Sequence, residues 1–142
     1  MASWEDFKKT MVVPATLGTA AKENDVALLA RLLADGADID ARDHRGYSAL
    51  MLAAYSGHQE AFDFLLERGA DPRSADLGGN SVLMGAAFKG HLDMVRKLLA
   101  AGADPLARNN AGLDASGFAA NFGRTEVVAF LASFSGASPT AG

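Results

Sequence analysis

Gly69-Ala70-Asp71-Pro72 recurs on both sides of itself at a fixed distance. Gly36-Ala37-Asp38 stands 33 residues before it, and Gly102-Ala103-Asp104-Pro105 stands 33 residues after it. A Leu-Leu pair leads into each copy: Leu32-Leu33, Leu65-Leu66 and Leu98-Leu99. A constant period over most of a chain means an array in which each unit buries its apolar face only against its neighbours. Other columns keep the same step. Asp43, Asp76 and Asn109 align, as do Gly46, Gly79 and Gly112, and Gly57, Gly90 and Gly123, the last three followed by His58, His91 and Arg124. The small pairs Ala20-Ala21, Ala53-Ala54, Ala86-Ala87 and Ala119-Ala120 form a column of four.

The remainder of the composition narrows the function classes. With 142 residues, 49% hydrophobic and 21% charged, the chain suits one domain with a sizeable core. A formal charge of −4 gives no general attraction to nucleic acid or to an anionic membrane, and neither partner is expected. Cysteine is absent, which removes disulfides, thiolate catalysis and cysteine-held metals together. No apolar run has the length of a membrane span, and Met1 to Thr10 lacks the basic start and apolar run of a secretory signal. A cytoplasmic protein, monomeric by itself, is the expectation; a periplasmic one is the alternative had a leader been removed.

Taken in order, residues 1–13 are expected to form an N-terminal capping helix, with Ser3 as cap and Trp4, Phe7 and Met11 on one face; the alternative is a partner-binding arm built around Trp4. Repeats are expected at about 14–42, 43–75, 76–108 and 109–132, followed by a flexible tail over 133–142. In the first, Asp25 caps a helix carrying Val26, Leu28, Leu29, Leu32 and Leu33. In the second and third, Ser48 and Ser81 open short helices that contain the alanine pairs, while Phe62, Leu65 and Leu66, then Met94, Val95, Leu98 and Leu99, supply the second helices. The fourth copy loosens: Asp114-Ala115-Ser116-Gly117 replaces Ser48-Ala49-Leu50-Met51, the kind of polar change an end unit carries.

Gly46-x-Ser48-Ala49-Leu50-Met51-x-Ala53-Ala54, followed by Gly57-His58, Leu65-Leu66 and Gly69-Ala70-Asp71, resembles the ankyrin repeat, and small bacterial members of that family in particular. The resemblance spans about Pro14 to Ala132. It implies an all-α ankyrin-repeat solenoid: stacked antiparallel helix pairs with projecting hairpin-like loops, and a concave face of loops and first helices where the family binds proteins. The family's Thr-Pro-Leu-His opening stands here as Ser48-Ala49-Leu50-Met51 and Ser81-Val82-Leu83-Met84, so apolar packing by methionine is expected to replace a histidine's polar tether.

On that implied face, three columns vary where their neighbours repeat: Lys22, Tyr55, Phe88 and Asn121; Glu23, Ser56, Lys89 and Phe122; and Tyr47, Asn80 and Leu113. A core that dictated them would have kept them constant. Tyr47, Tyr55, Phe88 and Phe122 are expected to form a part-exposed aromatic strip, since aromatic rings anchor interfaces; the alternative is that some pack between repeats. Loop tips add Arg42, His44, Arg45 and Arg108, beside Leu77 and Asn110, a local basic group suited to steering toward an acidic patch. The expected function is a non-enzymatic scaffold that binds one protein partner. By resemblance, its biological setting is either an immunity or inhibitor protein that masks a toxin or enzyme, or an accessory protein of catalase-linked oxidative defence.

No cofactor or metal is expected. His58 and His91 hold the same place in adjacent units, and neighbouring helices stand roughly 8–10 Å apart, too far to share an ion whose ligands lie about 2 Å from it. A haem or small-ligand carrier using His44 or Tyr47 is a lesser reading. Ser48 and Ser81 have no histidine and acid to activate them, and Gly78-Gly79-Asn80-Ser81 lacks the lysine of a phosphate loop. Asp38, Asp71 and Asp104 recur at a turn and are expected to be structural.

Overall fold

The computed structural model describes residues 16–136. The helix expected over 1–13, and Trp4 with it, lies outside the described residues, as does the chain beyond 136. Eight helices are seen among the described residues: α1 Leu17–Lys22, α2 Val26–Ala34, α3 Ala49–Ser56, α4 Gln59–Glu67, α5 Val82–Lys89, α6 Leu92–Ala100, α7 Ala115–Asn121 and α8 Thr125–Gly136. They pair as α1/α2, α3/α4, α5/α6 and α7/α8, and the first helices of the pairs pack in a continuous row, α1 on α3, α3 on α5 and α5 on α7. Among the described residues, bridge pairing is seen at Arg42–Ser48 and Ala75–Ser81, at the bases of the loops. The last helix runs to Gly136, so the tail boundary expected at Ser133 falls inside α8. The tilted rings of Phe130 and Phe134, 6.2 Å apart, continue that helix's apolar side past the boundary.

The row is close because its contact residues are small. Ala20, Ala21, Ala53, Ala54, Ala86 and Ala87 are wholly buried, and around them Leu50, Met51, Leu83 and Met84 fill the remaining space. Ala120 is exposed although Ala119 is buried, because no fifth helix pair among the described residues covers its side of α7.

Short helices of this kind depend on their caps. Asp25 accepts from the N–H of Leu28 and Asp114 from that of Gly117, each closing an open first turn. At α3, Ser48 Oγ accepts from Met51 N at 3.2 Å while the Ser48 N–H points to Met51 Sδ at 3.4 Å, and Ser81 with Met84 repeats the pair in α5. The methionines are therefore buried packing residues, as expected, and in addition their sulfurs serve as weak acceptors in a capping box.

Loop order comes from the recurring Asx column. Asp43 Oδ1 accepts the N–H groups of Arg45 and Tyr47; Asp76 Oδ1 those of Gly78 and Asn80; Asn109 Oδ1 those of Ala111 and Leu113. A second set of turns uses Asp38, Asp71 and Asp104 in the same way, which makes those carboxylates structural. Gly46 is fixed twice over. Its φ is +85°, and a Cβ there would meet Leu77 N of the next loop at 2.9 Å. In the helix-end column of Gly57, Gly90 and Gly123, Asn24 holds φ +57° instead, and its side chain ties to the next pair by accepting from Ala61 N and donating to Glu60.

Ser48 and Ser81 cap equivalent helices but differ in one bond. Ser48 Oγ also lies 3.3 Å from the buried Ser74 Oγ. Ser81→Ala is expected to cost about 1 kcal/mol, the loss of a cap. Ser48→Ala is expected to cost more, about 2 kcal/mol, because it also strands the Ser74 hydroxyl. Urea midpoints of the two variants check this, and equal losses reject the Ser48–Ser74 contribution.

Candidate functional site

A cleft of about 340 Å³ opens where α3, α5 and α7 meet the loops. Tyr47, Tyr55, Asn80, Phe88 and Lys89 all line it, so one hollow gathers five of the residues singled out from variable columns. Each is delivered by a repeated element. Tyr47 and Asn80 follow loop residues held by Asx turns, Tyr55 sits in the last turn of α3, and Phe88 and Lys89 close α5. The rings pair edge to face: Tyr47 with Tyr55 at 5.6 Å and Phe88 with Phe122 at 4.5 Å between centroids. Phe122 is half exposed and supports the cleft through Phe88.

Tyr55 is both a lining residue and a packing one. Its ring fills the space that a side chain at Gly85 would need: a Cβ there would stand 1.7 Å from Tyr55 Cε1. Burial, then the nearby Asp76 carboxylate and Tyr47, raises the Tyr55 phenol well above its ordinary range, so it is neutral and a hydrogen-bond donor at any working pH. No hydrogen bond from that hydroxyl to the described residues is present. Asp76 has its oxygens engaged by Gly78 N, Asn80 N and Asn80 Nδ2.

The loop residues divide differently. Arg42 Nη1 donates to Ala75 O of the next loop, and Arg45 lies 3.8 Å from Asp43 and stacks on Tyr47. Two of the expected steering cations are thus engaged within the array. Burial pushes the Asp43 carboxyl up, but the N–H groups of Tyr47 and Arg45, then the charges of Arg45 and His44, bring it below its usual range. His44 and Arg108 are exposed, and Leu77 is 75% exposed. Asn80 and Asn110 tie loops together: Asn80 Oδ1 accepts from Asn109 Nδ2 at 2.8 Å, and Asn110 N donates to Gly78 O. Leu113 is half-buried beside Gly117.

Reading the columns missed Asp76, Met84, Gly85 and Phe118, which also line the cleft. A signal existed for two of them. The column Leu52, Gly85, Phe118 swings from large to absent to large, which marks a notch for a neighbour's ring. His58 and His91 each start a helix without a side-chain cap bond, and His58 Nε2 lies 2.9 Å from Lys22 O of the preceding pair. A carbonyl only accepts, so Nε2 is the protonated nitrogen. Arg124, in the same column, donates to Phe88 O at 2.8 Å. Among the described residues no group of three acidic or histidine side chains is placed to hold a metal ion, and no helix is long and apolar enough to cross a membrane.

The family model for ankyrin repeats, in three copies, matches residues 17–109, and the chain belongs to the ankyrin-repeat family. The chain is 44% identical over 55 residues to ankyrin repeat domain-containing protein 29 of Danio rerio, an alignment covering 38% of this chain and 18% of that relative. The chain thus spans less than a fifth of the length of the curated relative it matches. The fourth pair, α7 and α8, lies beyond the matched residues, where the sequence period also loosens.

Gly85 and Tyr55 are expected to be coupled with a change of sign. In the native background Gly85→Ala forces the ring from its seat and costs about 1–3 kcal/mol. With Tyr55→Ala already present, the same change should stabilise by about 0.5–1 kcal/mol, the ordinary gain of alanine over glycine inside a helix. A double-mutant cycle read by chemical denaturation measures it, and additive effects would contradict the seat.

His91 titrates low, chiefly from burial, then from the charges of Lys89 and Arg124. Its folded pKa lies below the unfolded value of about 6.5. The unfolded chain therefore takes up the proton first, and the contribution is present above that pH and is lost as pH falls through the folded pKa. Melting temperature is expected to drop more between about pH 7.5 and 5.5 in the native protein than in His91→Gln. Parallel drops in the two proteins would assign the acid sensitivity elsewhere.

Proposed function

We propose that this chain is a binding module for one partner protein and that the partner docks on the cleft between Tyr47, Tyr55 and Phe88. Ankyrin repeats generally mediate protein–protein interaction, and that coarse function follows from the family. The observation that carries the finer reading is the convergence of side chains from columns the core leaves free. Tyr47, Phe88 and Lys89 come from two different units and line one hollow, with rings at its walls and a cation at its rim. Part-exposed aromatics in a recess are the residues that anchor interfaces. The absence of an activated nucleophile in the sequence supports binding without chemistry.

Capture from lysate, quantified by mass spectrometry, tests the site. Phe88→Ala is the variant of choice, because Tyr55 is also a packing residue. A cleft-bound partner should be retained at least about tenfold less well by Phe88→Ala, the loss of a central aromatic anchor. A loop-edge variant carrying His44→Ala and Leu77→Ser should retain it. Equal retention by native and Phe88→Ala chains with matching melting curves overturns the cleft as the site.

A further inference from the structure

The charges around the cleft define what the partner brings to it. Arg45 Cζ stands 4.7 Å over the Tyr47 ring, and Lys89 Nζ stands 5.6 Å from the centre of Phe88. Tyr47 and Phe88 thus each already hold one of the chain's own cations. Lys89 makes no ion pair with the described residues. Beside it, Arg124 adds a second positive charge. Glu126 shares the hollow next to Lys89 and Arg124 without pairing with either. Asp76 also lines the cleft; its charge disfavours a carboxylate beside it and leaves Lys89 as the cation to pair with one.

Size and polarity add to this. A cleft of about 340 Å³ is small among ligand clefts, which run roughly 300–1,000 Å³, and suits one large side chain with its adjoining backbone. Tyr55 is half-buried, and its hydroxyl, without a partner among the described residues, can donate to an incoming acceptor.

We propose that the cleft seats an extended acidic peptide segment of the partner. One aromatic or long aliphatic side chain enters between Tyr47, Phe88 and Phe118, a neighbouring carboxylate pairs with Lys89, and a backbone carbonyl accepts from Tyr55. This inference rests on the cleft being the binding site.

The test uses acetylated nonapeptides with a central Phe, Leu or Ala flanked by Glu, Gln or Lys, each read by fluorescence anisotropy against the folded chain. Binding is expected in the order Glu, Gln, Lys for the flanks. A central Phe or Leu should exceed Ala by tenfold or more, and added salt should weaken the Glu series. Lys89→Glu should invert the flank order. Lys89→Gln should flatten it, which keeps the test decisive if a carboxylate at the C-terminal end of α5 disturbs that helix. Preference for Lys flanks by the native chain, a flank order unchanged in both variants, or no peptide binding at all overturns the proposal. Phe88-dependent capture of a protein partner alongside any of these results leaves the broader reading standing. Peptide binding indifferent to both Phe88→Ala and Lys89→Glu rejects the cleft as well.

Discussion

The molecule depends on the close approach of α1, α3, α5 and α7, and that approach depends on buried alanines. With Ala20, Ala21, Ala53, Ala54, Ala86 and Ala87 wholly covered, the first helices pack backbone to backbone as larger residues would forbid. Such helices are only six to eight residues long and bury little area singly. Their stability comes from neighbours, so each unit needs both caps and tethers to hold the next in register. The Asx turns, the serine caps and the bonds from Asn24, His58, Arg73 and Arg124 to the adjoining pair supply these.

The same closeness creates the cleft. An array of identical units would leave a smooth face along its first helices. Here one unit omits a side chain at Gly85 and the preceding unit supplies a ring, Tyr55, that reaches into the gap. Once that ring is seated, Tyr47 packs against it from the loop side, and Phe88 and Phe122 form a second edge-to-face pair one unit on. The hollow between the two pairs arises from broken symmetry rather than from an inserted loop. The hollow is therefore shaped by the few columns where repeats disagree.

Much of this was legible in the residues. The 33-residue step, the serine and aspartate caps and the turn aspartates each correspond to a bond now located, because local hydrogen-bond chemistry acts over a few residues and sequence records those directly. The variable columns pointed to Tyr47, Tyr55, Asn80, Phe88 and Lys89, which line one cleft. Contacts between units were harder to read. That Arg42 is engaged by Ala75, or that Tyr55 rests on Gly85, depends on side-chain reach across a spacing that periodicity gives only as an average. The end of α8 was misplaced for a related reason: Ser133 and Ser135 read as tail, yet a helix already packed through Val127 and Leu131 carries the next turn with it.

Tyr55 shows how a packing residue can also line the cleft. Its ring edge is committed to Gly85, which fixes its position before any partner arrives, while its hydroxyl remains without a bond to the described residues. A rigid ring placed in advance loses little conformational freedom on binding, whereas a free surface tyrosine would lose most of it. Lys89 stands at the other extreme, an exposed cation without an ion pair among the described residues, whose long side chain can still adjust. The cleft thus joins a pre-set aromatic wall to an adaptable charged rim. On the proposal that the cleft holds a partner segment, the wall would set its shape and Lys89 the sign of the charge beside it.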